Sequence, residues 1–284
     1  MLLREAMYYK PLKINDKVQC QLCPHECIIE NGKLGICKVR KNQSGILYAL
    51  NYGKLTSYAY DLIEKKPLNH FHSGNKIFSI GSYGCNLGCD FCQNWEIAHK
   101  KSLTVELSDE EIVRLSKANG SIGIAYTYNE PFMSYEYMLH MSKLIKEENL
   151  VNTCITNGYV EKEPLEELLP YIDAMNIDLK AMNNNFYKKL CKANLEPVLR
   201  TIEIASKETH IEVTTLIIEG ENDNADEIEQ LSKWLSNIDE DIPFHINRYF
   251  PAYKLSLPPT NYDILMKTKS IADRYLNNVY IGNI

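Results

Sequence analysis

Cys85, Cys89 and Cys92 lie in the segment GSYGCNLGCDFCQNW with the spacing Cys-x3-Cys-x2-Cys. Three thiolates this close can ligate three irons of a cubane [4Fe-4S] cluster and leave the fourth iron without a protein ligand, whereas electron-transfer clusters and structural zinc sites take four. An open iron is a place for chemistry. Gly84 and Gly88, in the same loop, lack the Cβ that would obstruct backbone wrapping a bulky inorganic group. A second set, Cys20, Cys23, Cys27 and Cys37, has a full complement of four ligands and reads as a closed metal site, either an auxiliary iron-sulfur cluster or zinc, with His25 as a candidate substitute ligand. Cys154 and Cys191 have no ligand-like neighbours in sequence and read as small buried residues.

These groups need elements to hold them. From residue 76 onward, β-like runs (77–82, 122–127, 152–156, 174–178, 211–217 and 244–249) alternate with helical stretches, the pattern of a mostly parallel sheet. Helices are expected after Ser108, which forms a capping box with Glu111, after Pro131, and near 161–170, 184–206, 223–237 and 260–276. Polar clusters follow the strands instead of preceding them: the cysteine loop after the first, Asn129 and Glu130 after the second, Thr156 and Asn157 after the third, Asp178 and Lys180 after the fourth, His245 and Asn247 in the sixth. Loops at the carboxyl ends of parallel strands converge on one site, whether the sheet is a partial barrel or an open doubly wound one. Asp178 and Lys180 stand two apart on a strand, so they point to one side and can address opposite charges on one ligand.

Residues 1–72 read as an appendage to a main domain at 73–284. The first 45 or so hold the cysteine quartet among charged turns, a module that metal would stabilise in place of a core. Residues 46–72 alternate apolar and polar positions around an Asn-Tyr-Gly turn and read as a β-hairpin. Nine cysteines without a signal peptide argue for metal ligation in a reducing cytoplasm rather than disulfides. A net charge of -6 argues against nucleic-acid binding, and no apolar run approaches the ~18 residues of a membrane span.

Beyond the cysteines, the segments CQLCPHEC, IEKKPLNHF, GCNLGCDFCQNWEIA, TYNEP, TNGY, IDLK and HINRYFPAYK resemble the AmmeMemoRadiSam-system enzymes of the radical S-adenosylmethionine (SAM) superfamily, relatives of the pyruvate formate-lyase activating enzyme. The resemblance implies an α/β partial (β/α)6 barrel with a small N-terminal cysteine-rich module. It implies a [4Fe-4S] cluster on Cys85, Cys89 and Cys92, and SAM as second cofactor, cleaved to a 5′-deoxyadenosyl radical. By the same resemblance Asp178 and Lys180 contact the methionine end of SAM and Glu130 its amino group, although Tyr128 and Asn129 replace the two glycines that usually precede that glutamate. Phe91 takes the aromatic position near the adenine, and His245, with Asn247 on the same strand face, the place of a histidine near the ribose or carboxylate. A flavodoxin- or ferredoxin-type reductant is implied. The substrate is a protein glycine, as for an activating enzyme, or a small molecule or another protein side chain; an iron-sulfur electron carrier is the non-enzymatic alternative.

Overall fold

The computed structural model describes residues 3–13, 16–100 and 102–284. An eight-stranded sheet forms its centre. At one edge β1 (Ser57–Leu62) runs antiparallel to β2 (Lys76–Gly81). Then come β3 (Ser121–Tyr126), β4 (Val151–Thr156), β5 (Ala174–Asp178), β6 (His210–Ile217), β7 (Phe244–Arg248) and β8 (Val279–Gly282), each parallel to its predecessor. Every new strand joins on the same side of the last, so right-handed crossovers put all the helices on one face. The strand order never reverses. A doubly wound sheet requires such a reversal, which decides for the partial barrel.

The crossovers are α1 (Asp109–Lys117), α2 (Tyr135–Glu147), α3 (Lys162–Leu168), α4 (Glu196–Ala205), α5 (Ala225–Ile238) and α6 (Tyr262–Ala272). Helix α1 starts as its sequence dictates: Glu111 N donates to Ser108 Oγ at 3.2 Å and Ser108 N to Glu111 Oε2 at 2.9 Å. The single helix expected over 184–206 is broken. A π-helical turn, Tyr187–Cys191, ends at Lys192 in the left-handed region (φ 59°), and α4 begins afresh with Pro197 in its first turn. Among the described residues no helix is long and apolar enough to cross a membrane.

The hairpin forms one turn earlier than the alternation suggests. Arg40–Gln43 pairs with Ile46–Ala49 across Ser44-Gly45, where both residues have positive φ. Ser57–Leu62 leaves that ribbon and joins the main sheet as β1, so the sheet begins before the boundary expected at residue 73. The N-terminal segment builds two small three-stranded sheets instead. It docks through a buried ion pair: Arg40 reaches both carboxylate oxygens of Glu136 on α2, at 2.6 and 3.0 Å, and Met7 N donates to the same carboxylate at 2.7 Å.

Candidate active site

The cysteine loop leaves the carboxyl end of β2 and is clamped from three directions. Ser82 N donates to Asn129 Oδ1 at 2.8 Å, and Asn129 Nδ2 donates to Gly84 O at 3.0 Å. Asn129 therefore braces the loop with its side chain. Gly88 N and Asp90 N donate to the Cys191 and Leu190 carbonyls at 2.8 and 2.9 Å, hooking the loop onto the π-helical turn. On the remaining side the N-terminal module presses in: at Gly84 (φ 93°) a Cβ would lie 2.5 Å from Val39 Cγ1, so both conformation and space require glycine there.

Cys85, Cys89 and Cys92 line a single cavity of about 380 Å³. Phe91, buried and beside Phe186, shares its wall, as do Asn129, Glu130, Thr156, Asn157, Asp178, Lys180 and Asn247. Nearly all the polar strand ends therefore meet at one place. Among the described residues no three His, Cys, Asp or Glu side chains are drawn around a single ion. The three sulfurs face a space in the size range of a small-molecule site, which suits a polynuclear group. Burial raises the Cys85 thiol well above its ordinary range and Cys92 to about 11, so ligation here would have to displace protons.

The charged groups Glu130, Asp178 and Lys180 of the cavity wall each have polar partners. Glu130 is buried; Thr156 Oγ1 donates to its Oε1 at 2.7 Å and Asn157 N to its Oε2 at 2.8 Å. Burial outweighs these bonds and lifts its carboxyl to about 7. Asp178 and Lys180 lie on one side of the strand end with Oδ2 and Nζ 2.7 Å apart. Gly282 on β8 leaves room for Asn247, whose Oδ1 would be 2.3 Å from a Cβ there.

His245 is absent from the cavity wall. It stands two residues before Asn247 on the same strand face, one layer deeper, where its Nε2–H donates to Glu212 Oε2 at 2.6 Å and its ring stacks on Tyr280. A strand period of two gave the correct face and the wrong depth. Glu212 also accepts from Asn69 N at 2.9 Å, His70 N at 2.7 Å and His210 Nε2 at 3.1 Å. Asn176 Nδ2 donates to Pro67 O at 2.7 Å. The segment 67–70 is thus held across the inner face of β5 and β6 as a floor beneath the cavity.

Two further residues had no role assigned from the sequence. Cys191, expected only as a small buried residue, places its thiol in a hydrogen bond with the Cys89 sulfur. Lys66, at the head of the floor segment, is buried and lines the cavity. Cys20, Cys23, Cys27 and Cys37 do come together, around a small separate cavity. His25 bridges towards the loop of Cys85, Cys89 and Cys92, its Nε2 at 2.8 Å from Asn86 O. Asn86 also accepts from Asn157 Nδ2 at 3.0 Å, so one residue links the two cysteine groups.

Residues 79–235 of the chain match the radical SAM superfamily. The chain belongs to that superfamily. An uncharacterised protein of Methanocaldococcus jannaschii is 44% identical over 99% of this chain and 86% of its own length. A second protein of that organism, described as a candidate glycyl-radical enzyme activating enzyme, is 30% identical over 75% of this chain and 82% of its own. Pyruvate formate-lyase 1-activating enzyme of Escherichia coli (strain K12) is 25% identical over 69% and 88%. Among solved structures, Streptococcus suis SuiB bound to S-adenosylmethionine shares the fold with a TM-score of 0.55 at 16% identity, covering 71% of this chain and 48% of that one. As a radical SAM enzyme the chain uses a [4Fe-4S] cluster and SAM.

Proposed function

We propose that the chain is an activating-enzyme-like radical SAM oxidoreductase whose hydrogen donor is a residue of a partner protein, the Cα of a glycine being the first candidate. The observation that carries this reading is the convergence of Cys85, Cys89 and Cys92 with Glu130, Asp178 and Lys180 on one cavity at the carboxyl ends of the strands. The relatives described as activating enzymes point to the substrate class. With a cluster bound, the family's chemistry is one-electron cleavage of SAM to methionine and a 5′-deoxyadenosyl radical that abstracts a hydrogen atom.

The chain's own residues bind, orient and exclude water. The three cysteines hold the cluster, and Asn129 and Cys191 fix the loop that carries them. Asp178 and Lys180 address the methionine end of SAM, Glu130 receives its ammonium, and Phe91 packs near the adenine. Thr156 and Asn157 hold the Glu130 carboxylate towards the cavity, and Asn247 closes the far wall. The quartet Cys20, Cys23, Cys27 and Cys37 holds a second metal group, zinc or an auxiliary cluster, next to the first. A flavodoxin- or ferredoxin-type protein in the cytoplasm supplies the electron. Anaerobic incubation of reconstituted protein with SAM, dithionite and cell extract tests the reading. A 5′-deoxyadenosine yield that rises with a protein fraction, together with a glycyl-radical signal by electron paramagnetic resonance, is expected; dependence on a small-molecule fraction alone would overturn the protein-substrate assignment.

A further inference from the structure

The IEKKPLNHF segment brings to the cavity a cation for which the cluster and the residues assigned above leave no role. Lys66 is 5% exposed, and its side chain lines the same wall as Lys65 and Tyr128. Its ammonium carries three donors. One meets Asp61 Oδ2 at 2.8 Å. Asp61 lies on β1 outside the cavity wall, so the counter-charge stands behind the lysine and the remaining N–H groups are free for a ligand in front of it.

The surroundings hold this arrangement in place. Asp61 also accepts from Tyr128 Oη at 3.2 Å and faces Lys65 Nζ at 3.6 Å, and the Tyr128 ring covers the Lys66 ammonium, 4.7 Å from its centroid. Tyr128 adopts φ 71°, a costly conformation for an aromatic residue. It fits because Gly81 lacks a side chain: a Cβ there would lie 2.8 Å from Tyr128 Cβ. Below, the floor segment is tied down by Asn176 and Glu212. Asp61 is shared between Lys66 and the exposed Lys65, so Lys66 has only part of a counter-charge, and a buried cation gains most from an anion placed where water is excluded.

We propose that Lys66 is a carboxylate-binding residue of the cavity, taking either the α-carboxylate of SAM or a carboxylate of the hydrogen-donating substrate. The inference rests on the reading that the cavity takes SAM. It is tested on the cluster-reconstituted full chain by equilibrium binding of SAM, of decarboxylated SAM and, with SAM present, of succinate as a carboxylate probe. Lys66→Met should weaken one carboxylate by about 10- to 100-fold, the range for losing a charge-assisted hydrogen bond. A loss for SAM with none for decarboxylated SAM assigns the residue to the cofactor; an unchanged SAM affinity with weakened succinate assigns it to the substrate. Lys66→Arg should stay near wild type in either case. Lys66→Gln, which keeps a donor for Asp61 while removing the charge, should behave as Met does and serves if the Met variant does not fold. Unchanged binding of both SAM and succinate overturns the proposal while leaving the SAM reading intact. A wild-type protein that binds neither overturns both.

Discussion

Replacing Glu212 by Gln tests whether the floor of the cavity is built as described. Burial alone would raise this carboxyl, but bonds from His210 and His245, and from the amides of His70 and Asn69, hold it at about 2 rather than its ordinary 4.5. At ~1.4 kcal/mol for each tenfold change in proton affinity, that difference contributes on the order of 3 kcal/mol of stability at neutral pH. The sign follows from the lowered value. The contribution is full above about 4.5 and is lost as the pH falls towards 2. Gln keeps one acceptor oxygen but turns an NH2 towards donors that then have no partner. Urea unfolding of the cluster-free protein at pH 7 should show the full loss, shrinking as the pH falls from 4.5. Native-state hydrogen exchange should speed the Asn69 and His70 amides by about 100-fold. Unchanged exchange at those two amides, with an unchanged urea midpoint, would mean that Glu212 does not hold the segment 67–70 in place.

The other expectations concern the cavity and its neighbours. Alanine at Cys85, Cys89 and Cys92 together should abolish reductive SAM cleavage yet leave metal on the quartet; a folded triple variant free of both iron and zinc would show that the quartet is no metal site. Glu130 holds its proton below about 7 and is a carboxylate above it, so SAM affinity should rise about tenfold between pH 6 and pH 8; Glu130→Gln should flatten that profile, and a persisting rise would remove Glu130 from the SAM amino group. Cys191→Ala deletes a donor to a cluster sulfur, so the midpoint potential should fall by about 20–60 mV, the equivalent of ~0.5–1.5 kcal/mol for a one-electron couple; an unmoved potential would make Cys191 packing alone. Arg40→Met strands Glu136 without its partner and should cost on the order of 3 to 5 kcal/mol by urea unfolding, whereas an unchanged midpoint would mean that the N-terminal module docks by other contacts.

Sequence reasoning reached as far as local rules reach. The six central strands of the parallel run, the Ser108–Glu111 cap and the ring of polar strand ends each depend on a few neighbouring residues, and each is present. Position along the barrel axis is different, because it depends on what fills the interior. His245 and Asn247 share a face, yet only Asn247 reaches the cavity: the layer at His245 is occupied by Glu212, Tyr280 and the segment 67–70 crossing from β1. Nothing within the HINRY run encodes that segment.

The same non-local packing accounts for the two residues that sequence reading passed over. Cys191 reaches Cys89 because the chain takes a π-helical turn where an unbroken helix was expected, and the turn's carbonyls grip Gly88 and Asp90. Lys66 reaches the cavity because Glu212, 146 positions further along the chain, accepts from the backbone amides of Asn69 and His70, three and four residues after the lysine. In both cases the partner is a backbone group, which leaves no mark on residue type. Residues that touch the ligand are legible because chemistry restricts their identity. Those that aim such residues are restricted only by geometry, so a barrel of this kind shows its reagents in the sequence and its scaffolding in the fold.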